Sequence, residues 1–252
     1  QMNTLLQQQC KQCKLSGIYE HYDRIAQEST KQQWSQEQFL QALLEEELLN
    51  RANNRYRRLL KRANFPTVKT VAQFDFSKAP YLDKQEILEL HQCHFMEHHT
   101  NLLFVGAPGT GKSHLSLSIA NEACRKGKTV AFYTAASLGN QLVEMQEEKQ
   151  LNKFLQKLMK IELLLIDELG YVKLSNTTTQ LLFQVFSNRY EKGSTLITTN
   201  LDFAQWSELF HDTRMTAAIL DRLVHNSKIV VFQGDSYRLQ MHKKSDDLLG
   251  KE

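Results

Sequence analysis

Between Phe39 and Ala63 the apolar residues Phe39, Leu43, Leu44, Leu48, Ala52, Tyr56, Leu59 and Ala63 recur mostly at three- and four-residue steps. That spacing marks one face of a 3.6-residue repeat and predicts a long amphipathic helix. Ser35, with Gln38 three residues on, supplies a capping signal at its start. Phe65-Pro66-Thr67 ends it, because a proline disfavours helical geometry in the residue before it. Residues 1–65 hold no glycine after Gly17 and no proline, and they are rich in Gln, Glu, Leu and Arg. A small all-helical N-terminal domain is predicted there, followed by an extended linker over residues 66–83.

After an amphipathic helix from Lys84 to Glu97 the pattern changes. Short, wholly apolar runs alternate with helical stretches, as in a parallel sheet covered on both faces. Strands are predicted at Leu102–Val105, Thr129–Tyr133, Leu163–Asp167, Ser194–Thr199 and Lys228–Val231. Helices are predicted at Ser113–Arg125, Ser137–Lys149, Leu151–Lys160, Asn176–Glu191, Phe203–Phe210 and Thr216–Asn226. The fold class is therefore α/β, with a five-stranded parallel sheet in a main domain over residues 84–245 and a tail over 246–252. Only about twenty residues follow the last strand, too few for a C-terminal lid domain.

Composition narrows the class. A chain of 252 residues can bury cores for both domains. A net charge of +3 does not by itself mark a nucleic-acid binder, so the placement of the basic residues must decide. The start is polar and glutamine-rich, and no apolar run reaches the length of a membrane span, so a cytoplasmic protein without membrane contact is expected. The four cysteines are expected to be free thiols. Cys10-x-x-Cys13 with His91, Cys93 and His94 lacks the paired spacing of a zinc site.

The strongest chemical signal is Gly106-Ala107-Pro108-Gly109-Thr110-Gly111-Lys112-Ser113, directly after the apolar run Leu102–Val105. This is a phosphate loop in its strand-to-helix setting. Its glycines let backbone N–H groups wrap a polyphosphate, Lys112 reaches the β- and γ-phosphates, and Ser113 offers its hydroxyl to Mg²⁺. Downstream, Leu163-Leu164-Leu165-Ile166 delivers Asp167 and Glu168 to the carboxyl edge of the sheet. Asp167 fits the metal-organising role and Glu168 the water-orienting one. Leu196-Ile197-Thr198-Thr199 ends at Asn200, a candidate γ-phosphate sensor; the competing reading makes Asn200-Leu201-Asp202 a turn with Asn200 as helix cap. Phosphoryl transfer also gains from an added cation. Arg222, late in a helix, is the candidate to reach a neighbouring subunit's pocket, with Arg189, Arg214 and Arg238 as alternatives.

These residues resemble the AAA+ ATPases, and more closely the IstB-like transposition-helper ATPases of bacterial insertion sequences, relatives of the DnaC helicase loaders. The resemblance covers nearly the whole chain. It is carried by Lys14-Leu15-Ser16-Gly17, the Glu45-Glu46-Glu47 to Arg62 helix, Phe74-Asp75-Phe76, Gly106 to His114, Thr134 to Leu138 and Ile166 to Tyr171. Asn188 to Ser194, Thr198 to Leu201, Leu220 to Leu223 and Gly234 to Leu239 complete it. It implies an ATP- and Mg²⁺-dependent ATPase with a P-loop AAA+ domain that forms a homo-oligomer on double-stranded DNA, remodels it and assists the transposase of the same element. It also implies that Lys112, Ser113, His114, Asp167, Glu168 and Asn200 belong to the nucleotide site and that Arg222 acts in trans. The alternative function is a replicative helicase loader of the DnaC type.

Arg51, Arg55, Arg58 and Arg62 follow at four-, three- and four-residue steps, a stripe about 60° wide on a helix. No acid interrupts it between Arg51 and Arg62. That geometry suits a phosphate backbone, so these four arginines are the DNA-binding candidates; the plainer reading is a solvated face with Glu47 and Arg51 paired at i, i+4. No base-reading motif accompanies them, so contacts to phosphates are expected.

Overall fold

The computed structural model describes residues 2–210 and 212–233. The chain divides into two compact units, Gln1–Arg58 and Leu59–Glu252, a boundary inside the long helix rather than after it. Among the described residues no helix is long and apolar enough to cross a membrane.

The first unit contains α1 (Thr4–Gln12), α2 (Ser16–Gln32) and most of α3 (Gln36–Ala63). Its core is small: Met2, Cys10, Ile18, Ile25 and Leu43, flanked by Tyr22, Trp34 and Phe39. The capping signal at Ser35 is realised, since Ser35 N–H donates to Gln38 Oε1 (2.8 Å) and Gln38 N–H donates to Ser35 Oγ (3.2 Å). Gly17 sets the α2–α3 contact. A Cβ there would lie 2.7 Å from Glu46 O and 2.8 Å from Glu47 Cα, so only glycine allows backbone-level approach. The buried Glu47 carboxylate then accepts from the Gly17 N–H (2.7 Å) and Ile18 N–H (3.3 Å), satisfying the free donors at the start of α2. This contact corrects the expected face of α3. Leu43 and Glu47 are buried, whereas Leu44 and Leu48 remain 48% and 66% exposed, because α2 seats on the side that Gly17 opens.

The second unit carries a parallel sheet of β1 (Asn101–Gly106), β2 (Val130–Thr134), β3 (Leu163–Leu169), β4 (Ser194–Thr199) and β5 (Ser227–Phe232). The strand order is β2-β3-β4-β1-β5, so β4 lies between β1 and β3. Leu102, Leu103, Phe104 and Leu163 to Ile166 are fully buried, as strands covered on both faces must be. The covering helices are α4 (Lys84–His91), α5 (Lys112–Arg125), α6 (Ala135–Glu147), α7 (Leu151–Met159), α8 (Asn176–Arg189), α9 (Trp206–Phe210) and α10 (Thr213–Val224).

Local differences from the sequence reading have local causes. The helix expected over 84–97 stops at His91: Cys93 takes a left-handed φ of 61° and the chain continues as a 3₁₀ turn, His94–His98. Cys93 is buried there, its Sγ 3.7 Å from Ile119 O on α5. The segment 66–83, expected as an extended linker, instead forms two 3₁₀ turns, Val71–Gln73 and Phe76–Lys78. Asn121 Nδ2 donates to Lys69 O (3.2 Å) and holds the segment on α5. Arg238, the Gly234 to Leu239 motif and the stretch that bears on a lid lie outside the described residues.

Candidate functional site

The phosphate loop joins β1 to α5, and its backbone is set by close approach. Gly106 has φ +152°, and a Cβ on it would sit 2.2 Å from Phe232 O on β5; Gly111 has φ +100°, and a Cβ there would meet the Phe74 ring at 2.6 Å. Any side chain at either position would push the loop open. Thr110 is fully buried and braces the turn, donating through Oγ1 to Ala107 O (2.8 Å), while Tyr81 OH donates to Thr110 O (2.8 Å). Pro108 at the tip is exposed. Lys112 is buried at the first turn of α5, and its ammonium donates to Gly106 O and Ala107 O, each at 2.7 Å. Burial pulls the Lys112 ammonium below the ordinary lysine range, and the Asp167 carboxylate partly offsets this.

Ser113 Oγ donates to Asp167 Oδ1 (3.0 Å), which joins the loop to β3. A bulge places the acidic pair. Ile166 pairs with Ile197 and Leu169 with Thr199, so Asp167 and Glu168 together oppose the single residue Thr198. Thr198 serves both: its hydroxyl donates to Asp167 Oδ1 and accepts from the Glu168 N–H (3.0 Å). Asp167 is thereby buried, while Glu168 turns outward at φ +62°, a left-handed conformation that costs a non-glycine residue about 1 kcal/mol. Two adjacent carboxylates thus leave the strand in different directions. Sequence reasoning missed Thr198, because its role depends on the one-residue slip between two strands.

Asn200 follows β4, whose Thr199 pairs with Val105 of β1, so Asn200 stands beside the start of the phosphate loop. Its Oδ1 is buried without a hydrogen-bond partner among the described residues. It is not the cap of the next helix. Asp202 takes that place, in a capping box with Gln205. Such an orphaned acceptor beside a phosphate loop is a polar group held ready for a ligand or water.

The segment once expected to be a linker also belongs here. His114 Nε2 bonds Thr70 O (3.0 Å), and the Phe74 ring meets the His114 ring edge-on at 5.4 Å. His114 therefore anchors this wall. Together with Thr67, Lys69 and Gln73 the wall closes a cavity of about 310 Å³ that opens onto Gly109, Gly111, Lys112 and Ser113. Phe74 was visible in the sequence only through its Phe-Asp-Phe motif, and Tyr81 carried no signal.

The arginine candidates separate. Arg189 is 2% exposed and donates to Leu158 O (2.6 Å), Ile161 O (2.8 Å), Ser194 O (2.6 Å) and Thr195 Oγ1 (3.3 Å). Burial lowers its pKa to about 10, still charged at neutral pH, and its donors are consumed in tying α7, α8 and β4 together. It is structural, which removes it as a trans-acting candidate. Arg222 lies in the last turn of α10, donates to Ala218 O (2.9 Å) and stacks over the Phe183 ring at 5.0 Å. Among the described residues none of its recorded partners belongs to the phosphate loop or the acidic pair. Arg214 is exposed at the start of α10. On α3, Arg51, Arg55, Arg58 and Arg62 are all exposed, the first three in the N-terminal unit and Arg62 in the second. Arg51 Nε also donates to Glu47 Oε1 (2.7 Å), so the expected i, i+4 pair forms.

The donor set fits a nucleoside triphosphate with a hard divalent cation. Ser113 and Asp167 present oxygen ligands only, Lys112 is a buried cation, and the loop backbone leaves no room for side chains at Gly106 or Gly111. A model of the IstB-like ATP binding protein family matches residues 8–245. The chain is 35% identical over 246 residues to the ATP-binding protein of insertion sequence IS5376 from Geobacillus stearothermophilus, covering 98% of each. It is 34% identical over 232 residues to that of IS21 from Pseudomonas aeruginosa, covering 92% of this chain and 88% of the other. Among solved structures, the DnaC helicase loader superposes with a TM-score of 0.53 at 24% identity, over 70% of this chain and 99% of that one. AMPPCP-bound DnaA from Aquifex aeolicus superposes with a TM-score of 0.55 at 20% identity, over 73% and 56%. Those two likenesses show the AAA+ fold. The phosphate loop, the family match across most of the chain and the two insertion-sequence relatives together make this chain a member of the IstB-like ATP-binding proteins.

Proposed function

We propose that this chain is a Mg²⁺-dependent ATPase that assembles as a homo-oligomer on double-stranded DNA, remodels it and assists the transposase of its insertion sequence. The observation that carries the hydrolytic part is the bulge at Asp167-Glu168. It buries one carboxylate against Ser113 and frees the other. A bound Mg²⁺ supplies electrostatic neutralisation of phosphate charge. Ser113 and Asp167 hold that ion, and Lys112 turns its ammonium from the loop carbonyls to the β- and γ-phosphates. Glu168 orients the attacking water and accepts its proton at a carboxylate oxygen. Asn200 offers its unsatisfied amide oxygen to the same water, and the cavity walled by Phe74 and His114 receives the nucleoside. Arg222 of a neighbouring subunit adds positive charge in the transition state, an effect worth on the order of 10³–10⁵ in rate, or roughly 4–7 kcal/mol.

The DNA part rests on the exposed arginines of α3 and on the insertion-sequence names of the relatives. Arg55, Arg58 and Arg62 contact phosphates, with Arg51 shared between DNA and Glu47. Affinity then falls steeply with salt. The test is Glu168→Gln: ATP affinity stays within about threefold, hydrolysis drops by about 10² or more, and assemblies persist on duplex DNA. Undiminished hydrolysis, or loss of DNA-bound assemblies with ATP still bound, overturns the reading.

A further inference from the structure

The uncovered face of α3 has an order of its own. Glu37, Leu40, Leu44, Leu48 and Arg51 fall within an arc of about 80° on the helix. Leu40, Leu44 and Leu48 form a single ridge of four-residue steps and are 56%, 48% and 66% exposed. The buried side of this part of the helix is elsewhere, at Leu43 and Glu47, where α2 packs. Three neighbouring leucines on one solvent-facing ridge are a contact surface rather than scattered apolar exposure.

Charge identifies the occupant. Glu37, exposed and without an ion-pair or hydrogen-bond partner among the described residues, stands at the N-terminal end of the ridge, and Arg51 stands at the other. The Arg51 side chain is 57% exposed even while paired with Glu47. A second α3 running antiparallel, with a two-fold axis through Leu44, sets Leu44 against Leu44, Leu40 against Leu48, and Glu37 against Arg51. A parallel copy sets acid against acid and base against base. The ridge is thus self-complementary in one orientation only, as a two-fold interface requires.

We propose that two copies of this chain pair through an antiparallel α3–α3 contact centred on Leu44, and that this pairing needs neither nucleotide nor DNA. It deepens the homo-oligomer reading above and rests on it only in taking a second copy as the partner.

The experiment uses the full chain carrying Cys13→Ser, which removes the exposed native thiol; Cys10, Cys93 and Cys124 are buried. Without nucleotide at about 100 µM, sedimentation should show dimers, and Leu44→Glu should weaken dimerisation roughly 100-fold while leaving the helical circular-dichroism signal unchanged. Under mild oxidation Leu44→Cys should crosslink to itself. Leu40→Cys and Leu48→Cys should crosslink only when mixed with each other. A monomer at that concentration, unimpaired dimers of Leu44→Glu, or self-crosslinking of Leu40→Cys as efficient as that of Leu44→Cys would each overturn the proposal. ATP hydrolysis measured on the same Leu44→Glu protein separates the two readings: its survival leaves the ATPase assignment standing whatever the pairing result, and a crosslinked pair without hydrolysis counts against that assignment alone.

Discussion

Replacing Thr198 by Val tests whether the bulge at Asp167-Glu168 organises the site. Val keeps the shape and the packing of a residue that is 1% exposed, and it removes only the hydroxyl. Two hydrogen bonds go with it, one donated to the Asp167 carboxylate and one accepted from the Glu168 N–H. A bond to a charged group contributes about 1.5–3 kcal/mol, and a buried N–H left unpaired costs about 1–3 kcal/mol. Partial relaxation at the open edge of the sheet brings the net loss to about 2–4 kcal/mol. At roughly 2–4 °C per kcal/mol for a unit of this size, Tm should fall by about 5–15 °C. Catalysis should suffer more than binding. Glu168 holds a left-handed conformation partly through its N–H bond to Thr198, so the variant lets its carboxylate drift, and a displacement of about 1 Å lowers kcat by about 10²-fold. Nucleotide affinity should stay within about threefold, because Lys112 and the loop are untouched. Thr198→Ser, which keeps the hydroxyl, should retain kcat within a few-fold. Scanning calorimetry, a fluorescent-nucleotide titration and a phosphate-release assay read the three quantities. Parental Tm and kcat in Thr198→Val would refute the reasoning.

Two further outcomes follow from other buried groups. Arg189→Lys cannot serve all four acceptors of the guanidinium and should destabilise the second unit by about 2–4 kcal/mol in thermal melts, with kcat per folded molecule unchanged; a loss of kcat at constant Tm would instead give Arg189 a place in catalysis. For Glu47, burial alone would raise the carboxyl pKa, but the hydrogen bonds from Arg51, Gly17 and Ile18 outweigh it and hold the group below its usual 4.5. Its stabilisation is therefore complete above pH 4.5 and disappears as pH falls through the lower folded-state value, so Glu47→Gln should flatten the acid-unfolding profile followed by circular dichroism, and an unchanged profile would remove Glu47 from the account.

What the sequence by itself determined is whatever depends on near neighbours along the chain. The phosphate loop from Gly106 to Ser113, the five apolar strands, the Ser35–Gln38 cap and the acidic end of β3 are all written in short-range spacing, because turn chemistry, burial and capping act over a few residues. What only the tertiary structure decided is which surfaces meet. The order that sets β4 between β1 and β3, the slip that puts Thr198 opposite two carboxylates, and the fold of residues 66–83 against Gly111 and His114 all join residues tens of positions apart. The same holds for Arg189, whose acceptors lie mostly on other elements, and for α3, where Gly17 rather than the count of leucines selects the buried face. Periodicity shows that a helix has an apolar side; steric fit with a distant partner chooses which part of that side is covered and which is left for another molecule.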